Sequence, residues 1–387
     1  MFNSEKAGYN IAWQYLRKRG NTVTSMKNKT FILVITSVFG IALFLLYCLY
    51  HPGKTSSSTK NVYDKIKASE PVSYLVIGDS IGRGSGASKD QTKWFYLLED
   101  KLYDNYGSPL KRNMIVQSGA TAFEGLYKFK NSSIQNIDLI FIVFGENDRK
   151  YMNNDVFYYL YSQLLLQVKE KYPAAEIITL TESSLDNENF ADVISKVSEE
   201  YQATNLDMRI PFRKSGKRAE ELTKDLVHPN DNGYQLYAEY IYKHFNKQIQ
   251  NKEKSTELPL NDYAAKAINM VTNNDYTFKD SSYVKKQGYY TTDDKGAELG
   301  FTFKGTYLGA NVIRGPLGGL VDVYIDDEFV TSISTWWPFE KPRSEFIAGG
   351  LPDETHKVIF RSAGKASSHN TSGYHRVQIS SVIVQDK

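Results

Sequence analysis

Residues 74–81 read Tyr-Leu-Val-Ile-Gly-Asp-Ser-Ile, an apolar run of strand length that ends in a glycine and a small polar cluster. A continuous apolar run is typical of a buried strand in a parallel sheet, and open α/β sheets bind their ligands at the carboxyl ends of such strands. Ser80 therefore lies where its hydroxyl would reach the rim of the sheet, and Gly78 permits the tight turn that leads there. From this stretch alone, Ser80 is either a nucleophile or a turn residue.

Short apolar runs continue to alternate with longer amphipathic segments through residue 248. This alternation is the pattern of βαβ units and predicts a three-layer α/β/α sandwich with a parallel sheet. We predict strands near residues 73–78, 113–117, 138–144, 176–181 and 205–210, and helices near residues 91–106, 154–171, 188–203 and 232–248.

Three further polar stretches accompany the one that contains Ser80. Residues 118–121 (SGAT) and 145–148 (GEND) each follow an apolar run, and residues 225–228 (DLVH) precede an amphipathic segment. Together with the GDSI of residues 78–81, and in this order, they resemble the four sequence blocks of the SGNH (GDSL-type) hydrolase family. The resemblance covers residues 72–247 and implies a serine hydrolase with the three-layer fold predicted above.

Hydrolysis of an ester by a serine needs a base that takes the hydroxyl proton. His228 is the candidate base for the nucleophile Ser80, and Asp225 is close enough in sequence to fix the tautomer of the imidazole through Nδ1. Without the other blocks, His228 would more simply be a histidine of a loop or helix start.

The developing oxyanion needs hydrogen-bond donors. The family resemblance assigns this role to the amide of Ser80, the amide of Gly119 and the side chain of Asn147. A glycine lets the backbone approach a ligand closely, and an asparagine amide donates without needing protonation. The simpler interpretation is that Gly119 is only a turn glycine and that Asn147 only caps a helix.

Two charged residues near these blocks are candidates for substrate contact. Arg83 closely follows the nucleophile and would meet an anionic substrate, balance a neighbouring carboxylate, or be a solvated loop residue. Glu146 lies next to the proposed oxyanion hole, where its charge would oppose oxyanion stabilisation unless the side chain points away.

The composition excludes several other classes of protein. Of the 387 residues, 41% are hydrophobic and 24% are charged, as in an ordinary globular chain, and the net charge of +3 with no basic stripe argues against nucleic-acid binding. The single cysteine, Cys48, excludes an intramolecular disulfide and a cysteine-rich zinc site. The histidines lack ligand spacing, and the glycine-rich residues 82–86 lack the pattern of a phosphate loop, so we expect no metal and no cofactor.

Beyond Leu258 the helical patterns end and strand-like segments separated by Gly, Pro and Asp take over. This spacing predicts a C-terminal all-β sandwich or jelly-roll domain, whose pattern resembles the β-sandwich modules of carbohydrate esterases. Trp336 and Trp337 are candidates for stacking on sugar rings, although β-sandwich cores also use tryptophan. The predicted strands are residues 297–303, 307–313, 321–325, 329–333, 356–361 and 376–384.

Residues 31–50 contain no charged side chain and have the length that a bilayer needs. No small-residue cleavage site follows them, so we predict an uncleaved transmembrane helix. Basic residues flank both ends of this segment, and those before it favour a cytoplasmic N-terminus.

We therefore expect a single-pass membrane protein whose extracytoplasmic serine esterase, at the cell surface, hydrolyses O-acetyl groups of a cell-surface or extracellular polysaccharide through an acyl-serine intermediate. One alternative is a polysaccharide or cell-wall O-acyltransferase that works with a multi-pass membrane acyl-donor partner. The other is a catalytically inactive carbohydrate-binding surface protein. The expected organisation is a cytoplasmic segment (1–30), a membrane anchor (31–50), a linker (51–71), the hydrolase domain (72–250) and the β-sandwich domain (260–387).

Overall fold

A five-stranded parallel sheet forms the centre of the first half of the structure, a computed structural model that describes residues 60–251 and 267–386. Its strands follow the order β2-β1-β3-β4-β5, and every neighbouring pair is parallel. The predicted parallel sheet is therefore confirmed. The strands are β1 (Val72–Gly78), β2 (Leu110–Val116), β3 (Leu139–Val143), β4 (Glu176–Thr181) and β5 (Thr204–Asp207).

Helices cover both faces of this sheet. Because successive side chains of a strand point to opposite faces, β1 contributes to two separate cores. Leu75 and Ile77 pack in the core that contains helices α3, α4 and α5, whereas Tyr74 and Val76 pack in the core that contains α1, α2 and α8. The helices are α1 (Val62–Lys67), α2 (Trp94–Tyr106), α3 (Ala122–Lys130), α4 (Asn154–Lys171), α5 (Glu188–Glu200), α6 (Arg209–Lys214), α7 (Ala219–Leu222) and α8 (Asp231–Gln250).

The second half is an antiparallel all-β domain, as predicted. One sheet has the strand order β13-β12-β15-β10-β7, and the other has the order β14-β11-β16-β9-β8, with β6 also paired to β16. Apolar side chains from both sheets form a common core. The strands are β6 (Met270–Asn273), β7 (Tyr276–Lys279), β8 (Val284–Lys286), β9 (Tyr289–Thr292), β10 (Glu298–Lys304), β11 (Tyr307–Arg314), β12 (Gly319–Ile325), β13 (Glu328–Ser334), β14 (Lys341–Gly349), β15 (Thr355–Ala366) and β16 (Val377–Gln385).

The two domains pack against each other through aromatic side chains. The ring of Phe123 on α3 contacts those of Tyr307 and Phe346 edge-on, with ring centroids 6.0 and 5.7 Å apart. Gly309 makes this approach possible, because a Cβ there would lie 2.3 Å from Phe123 Cζ. Both domains therefore form one unit, which spans Lys60–Lys387.

Two elements that bear on the site were not predicted. Helix α3 is only nine residues long and contains Gly125, a residue with low helix propensity. The glycine makes room for the Phe144 ring, because a Cβ at residue 125 would lie 2.4 Å from Phe144 Cζ. Strand β14 contains Pro342 and buries Arg343 and Ser344, so it lacks the apolar alternation of a strand.

Among the predicted boundaries that differ from the structure, two have a clear physical reason. Residues 51–71 were predicted to be a linker, but within them α1 buries Val62 and Ile66, four residues apart, against the core of the parallel-sheet domain. Strand β5 ends at Asp207 and not at residue 210, because the Asp207 carboxylate accepts a hydrogen bond from the amide of Arg209 and helix α6 begins there.

The predicted membrane anchor, residues 31–50, lies outside the described residues. Within residues 60–251 and 267–386, no helix combines the length and the apolar character needed to cross a bilayer.

Candidate active site

Ser80 lies in a series of tight turns directly after β1. The buried carboxylate of Asp79 accepts hydrogen bonds from the amides of Ile81 (2.8 Å) and Gly82 (3.4 Å), and the carbonyl of Ser80 accepts one from the amide of Ser85 (2.8 Å). These bonds fix the backbone on both sides of the serine, which is only 6% exposed.

The loop between α7 and α8 carries Asp225 and His228. Its ends are joined by a hydrogen bond from the amide of Lys224 to the carbonyl of His228 (2.8 Å). At its tip Leu226 adopts a left-handed conformation with φ of 68°, which costs a non-glycine residue about 1–3 kcal/mol. This turn lets the Asp225 carboxylate accept hydrogen bonds from the amides of Val227 (3.2 Å) and His228 (2.8 Å).

Ser80, His228 and Asp225 form a continuous chain of hydrogen bonds. His228 Nε2 lies 2.9 Å from Ser80 Oγ, and His228 Nδ1 lies 2.8 Å from Asp225 Oδ2. Although partial burial would raise the pKa of Asp225, hydrogen bonds from the His228 amide and ring outweigh it and lower this pKa. The structure thus brings together the three residues predicted to be catalytic, in the geometry that a serine, a base and its orienting carboxylate require.

Gly86 allows the histidine loop to lie against the loop that carries Ser80. Its φ is +102°, and a Cβ at this position would lie 2.4 Å from the Pro229 carbonyl oxygen and 2.9 Å from His228 Cβ. The glycine-rich residues 82–86 thus provide close packing around the serine.

The predicted oxyanion donors come from the carboxyl ends of three neighbouring strands. Within the described ranges, the amides of Ser80 and Gly119 have no hydrogen-bond acceptor, so both are available to a ligand. Gly119 follows β2 with φ of +75°, a conformation that favours glycine. Asn147 follows β3 and donates one Nδ2 hydrogen to Asp79 Oδ2 (2.6 Å), which leaves its second hydrogen for a ligand.

The two charged candidates next to these blocks differ in environment. Glu146 is buried and is paired with Arg149 (2.9 Å) and Lys150 (3.5 Å), and it accepts a hydrogen bond from Ser184 (3.3 Å). Its carboxylate charge is therefore compensated. Arg83 is exposed and donates to Ser118 Oγ (3.2 Å), next to Gly119.

Trp336 and Trp337 lie between β13 and β14, in the other domain. Trp336 packs against His369 with ring centroids 5.3 Å apart, and the guanidinium of Arg314 lies 5.3 Å from the Trp337 ring centroid. Both tryptophans are half-buried.

A cluster of buried carboxyls supports the loops around Ser80. The Asp148 carboxylate accepts hydrogen bonds from the amides of Ala122 (2.7 Å) and Gly145 (3.1 Å), so it joins the loop after β3 to the start of α3. Glu182, directly after β4, accepts one from the amide of Glu146 (2.7 Å). Burial, together with the nearby charge of Asp79, raises the pKa of Asp148 to about 7 and that of Glu182 well above its usual value.

Sequence reasoning missed three residues of this site. Asp79 was considered only as part of the block that contains Ser80. Glu182 was not considered, although it directly follows the strand predicted at residues 176–181. Leu226 is 60% exposed and lies beside the proposed base. Its position between Asp225 and His228 was the only sequence feature that connected it with the site.

A cavity of about 510 Å³ lies between the two domains, and its lining includes none of the proposed catalytic or oxyanion residues. From the hydrolase domain it is lined by Thr121, which follows the Gly119 loop, and by residues 150–153, which follow Asn147. From the all-β domain it is lined by parts of β13 and β14 and by Arg314.

Comparison with sequence families gives a match over the hydrolase domain. Residues 76–236 match the GDSL-like Lipase/Acylhydrolase family. No curated protein matches the chain.

Solved structures share the fold of this chain. A crystal structure of a two-domain esterase (CEX) active on acetylated mannans has a TM-score of 0.64 and 16% identity, and the match covers 84% of this chain and 94% of that one. The same esterase co-crystallised with mannopentaose has a TM-score of 0.63, 16% identity and the same coverage. The psychrotrophic esterase EstA from Pseudoalteromonas sp. covers 46% of this chain and 99% of its own, with 19% identity and a TM-score of 0.38. At these identities the likeness concerns the fold alone.

The raised pKa of Asp148 predicts a pH-dependent contribution to stability. Because the folded state holds this proton more tightly than the unfolded chain does, the contribution is present at about pH 4 and is lost as the pH rises through about 7. Asp148→Asn removes this contribution, because an asparagine side chain does not titrate. The melting temperature of Asp148→Asn relative to wild type should therefore increase between pH 5 and pH 8, as measured by thermal unfolding. Asp192→Asn, at an exposed position, corrects for the loss of one negative charge. A melting-temperature difference that stays constant with pH would contradict a raised pKa of Asp148.

Proposed function

We propose that this protein, which carries a GDSL-type esterase domain in residues 76–236, removes O-acetyl groups from a polysaccharide through an acyl-serine intermediate. The observation that carries the proposal is the chain of hydrogen bonds from Asp225 through His228 to Ser80, beside the amides of Ser80 and Gly119, which find no acceptor in residues 60–251 and 267–386. This arrangement supplies the nucleophile, the base and the oxyanion donors that acyl transfer requires.

In the first half of the proposed reaction, Ser80 Oγ attacks the acetyl carbonyl while His228 Nε2 takes the hydroxyl proton. The carbonyl oxygen becomes an oxyanion, which accepts hydrogen bonds from the amides of Ser80 and Gly119 and from Asn147 Nδ2. His228 then gives its proton to the sugar oxygen, the ester bond breaks, and the acetyl group remains on Ser80.

In the second half, His228 takes a proton from water, and the resulting hydroxide attacks the acetyl carbonyl on Ser80. The same donors stabilise the second oxyanion. When the intermediate collapses, His228 returns the proton to Ser80 Oγ, and acetate leaves. Asp225 stabilises the imidazolium in both halves and is not itself protonated.

Two observations support a polysaccharide as the acyl carrier. The two-domain esterase active on acetylated mannans has the fold of both domains of this chain. In addition, the cavity of about 510 Å³ between the domains is lined by Thr121, two residues after Gly119, and by parts of β13 and β14, so a polymer held there would contact the all-β domain near the oxyanion loop. Trp336 and Trp337 do not line this cavity, but they follow Ser334, which does, and would offer sugar-stacking surfaces beside it.

We further propose that residues 31–50 anchor the enzyme in the membrane and hold both domains outside the cytoplasm. The uncharged apolar sequence of this segment supports the anchor, and an extracytoplasmic site would have access to surface polysaccharide. The same placement is compatible with an O-acyltransferase, in which a membrane partner loads Ser80 and a sugar hydroxyl replaces water as the acceptor.

Substitution of the proposed catalytic residues tests the reaction class. Because Ser80 and His228 act as a unit, Ser80→Ala and His228→Ala should each abolish nearly all hydrolysis of p-nitrophenyl acetate, and the double variant should lose little more. Ser85→Ala, in the same loop, is the matched control and should retain activity. Wild-type hydrolysis by Ser80→Ala would refute the mechanism. A wild-type protein that is inactive on every ester but binds polysaccharide would favour the non-catalytic alternative.

Product analysis separates the hydrolase from the transferase. The purified full-length protein should release acetate from acetylated polysaccharide, as measured by an enzymatic acetate assay, and should leave an unacetylated oligosaccharide unmodified in the presence of an activated acetyl donor. If the oligosaccharide instead gains acetyl groups faster than acetate appears, and Ser80→Ala prevents the gain, the transferase is the correct function.

Protease accessibility tests the proposed topology. Protease added to intact cells or protoplasts should remove a tag placed after Lys387, because the C-terminal domain lies outside the cytoplasm. A cytoplasmic reporter protein serves as the control for membrane integrity. A C-terminal tag that remains protected until the membrane is lysed would show the opposite orientation.

A further inference from the structure

We propose that Arg343, supplied by the all-β domain, is a positioning residue that holds the oxyanion loop of the hydrolase domain in its active geometry. The proposal rests on the acyl-transfer mechanism above, and it concerns a residue outside the sequence blocks of the hydrolase. Arg343 lies on β14 and is 3% exposed, although arginine is rarely buried without a specific partner.

The guanidinium of Arg343 binds two groups of the hydrolase domain at once. Nη2 donates to Glu124 Oε2 (2.8 Å) and to the carbonyl oxygen of Gly119 (3.0 Å). Nε donates to both carboxylate oxygens of Glu124 (3.2 and 3.1 Å). Glu124 lies on α3 and is 1% exposed, so the contact is buried on both sides. A planar guanidinium suits this arrangement because its donors have fixed directions.

These contacts fix the peptide that follows the proposed oxyanion donor. The Gly119 carbonyl and the Ala120 amide belong to the same peptide group, and the Ala120 amide donates to the Gln117 carbonyl (3.0 Å). Arg343 therefore holds one side of this peptide and Gln117 holds the other. The Gly119 amide has no acceptor among the residues that the structure describes, and its direction is set by the glycine dihedrals that these two bonds restrain.

The effect of Arg343 is geometric and not a direct charge effect on the oxyanion. Its charge is compensated by Glu124 and, at 3.7 Å, by Glu345. Glycine has the largest conformational freedom of any residue, so a loop built on Gly119 benefits from an external restraint. A displacement of about 1 Å in a catalytic group can cost about 10²-fold in rate.

The test measures kcat and KM of the purified full-length protein with p-nitrophenyl acetate, a substrate too small to depend on the polymer-binding surface. Arg343→Met should lower kcat by about 10- to 100-fold and change KM by less than about 3-fold, because it disturbs an oxyanion donor and not ground-state binding. The matched control is Arg361→Met, which removes an arginine–glutamate pair from the opposite sheet of the same domain and should leave both constants unchanged.

A double variant separates positioning from stability. Arg343→Met leaves the buried Glu124 with Lys128 as its remaining charged partner, so a lower melting temperature is expected. Arg343→Met/Glu124→Gln also removes the buried carboxylate that has lost its arginine partner, and it should recover melting temperature while kcat stays low. Recovery of wild-type kcat in the double variant, or no loss of kcat in Arg343→Met, would overturn the proposal.

The outcomes also distinguish this inference from the proposed function. Wild-type protein that hydrolyses p-nitrophenyl acetate but no acetylated polysaccharide would refute the substrate class and leave the role of Arg343 testable on the small ester. Wild-type protein that is inactive on both would refute the serine mechanism and the role of Arg343 with it.

Discussion

The geometry of the site depends on the hydrogen bonds that the buried carboxylate of Asp79 accepts. One of its oxygens binds the amides of Ile81 and Gly82 and so shapes the turn around Ser80, and the other binds the side chain of Asn147. A buried carboxylate is costly unless hydrogen bonds compensate it, and here the compensating donors are the groups that must be positioned. One side chain therefore joins the loops that follow β1 and β3.

The loop that contains Gly119 is held from two directions. From within the hydrolase domain, Asp148 binds the amide of Ala122 at the start of α3. From the all-β domain, Arg343 binds the carbonyl of Gly119 and Glu124 on the same helix. The second domain thus contributes to the structure of the site itself, in addition to lining the cavity beside it.

The sequence predicted the parts of the structure that depend on local patterns. The run that ends at Ser80 predicted a buried strand, and the alternation around it predicted the parallel sheet, both of which the structure contains. Ser80, Asp225 and His228 could be nominated because each lies in a short block with a characteristic composition. Their geometry agrees with the predicted roles, which await experiment.

What the sequence did not predict depends on contacts between distant segments. Helix α3 is short and contains a glycine required by Phe144, and β14 buries the charged side chain of Arg343 against that helix. Apolar residues of α3 recur at helical spacing, at Ala122, Leu126 and Phe129, but over only nine residues, and β14 lacks the apolar alternation that marks a strand. The pair Arg343 and Glu124 is separated by 219 residues, and neither member has a neighbour in sequence that signals its partner.

Strand β14 has a consequence for modularity. Accessory β-sandwiches are often treated as interchangeable attachments that natural recombination or protein engineering can transfer between enzymes. In this chain, an exchange of residues 267–386 for an unrelated sandwich would remove the Arg343 guanidinium that binds Glu124 on α3. It would also expose the aromatic contact around Phe123. The two halves must therefore be inherited together, and a functional chimera would need a donor module that reproduces β14.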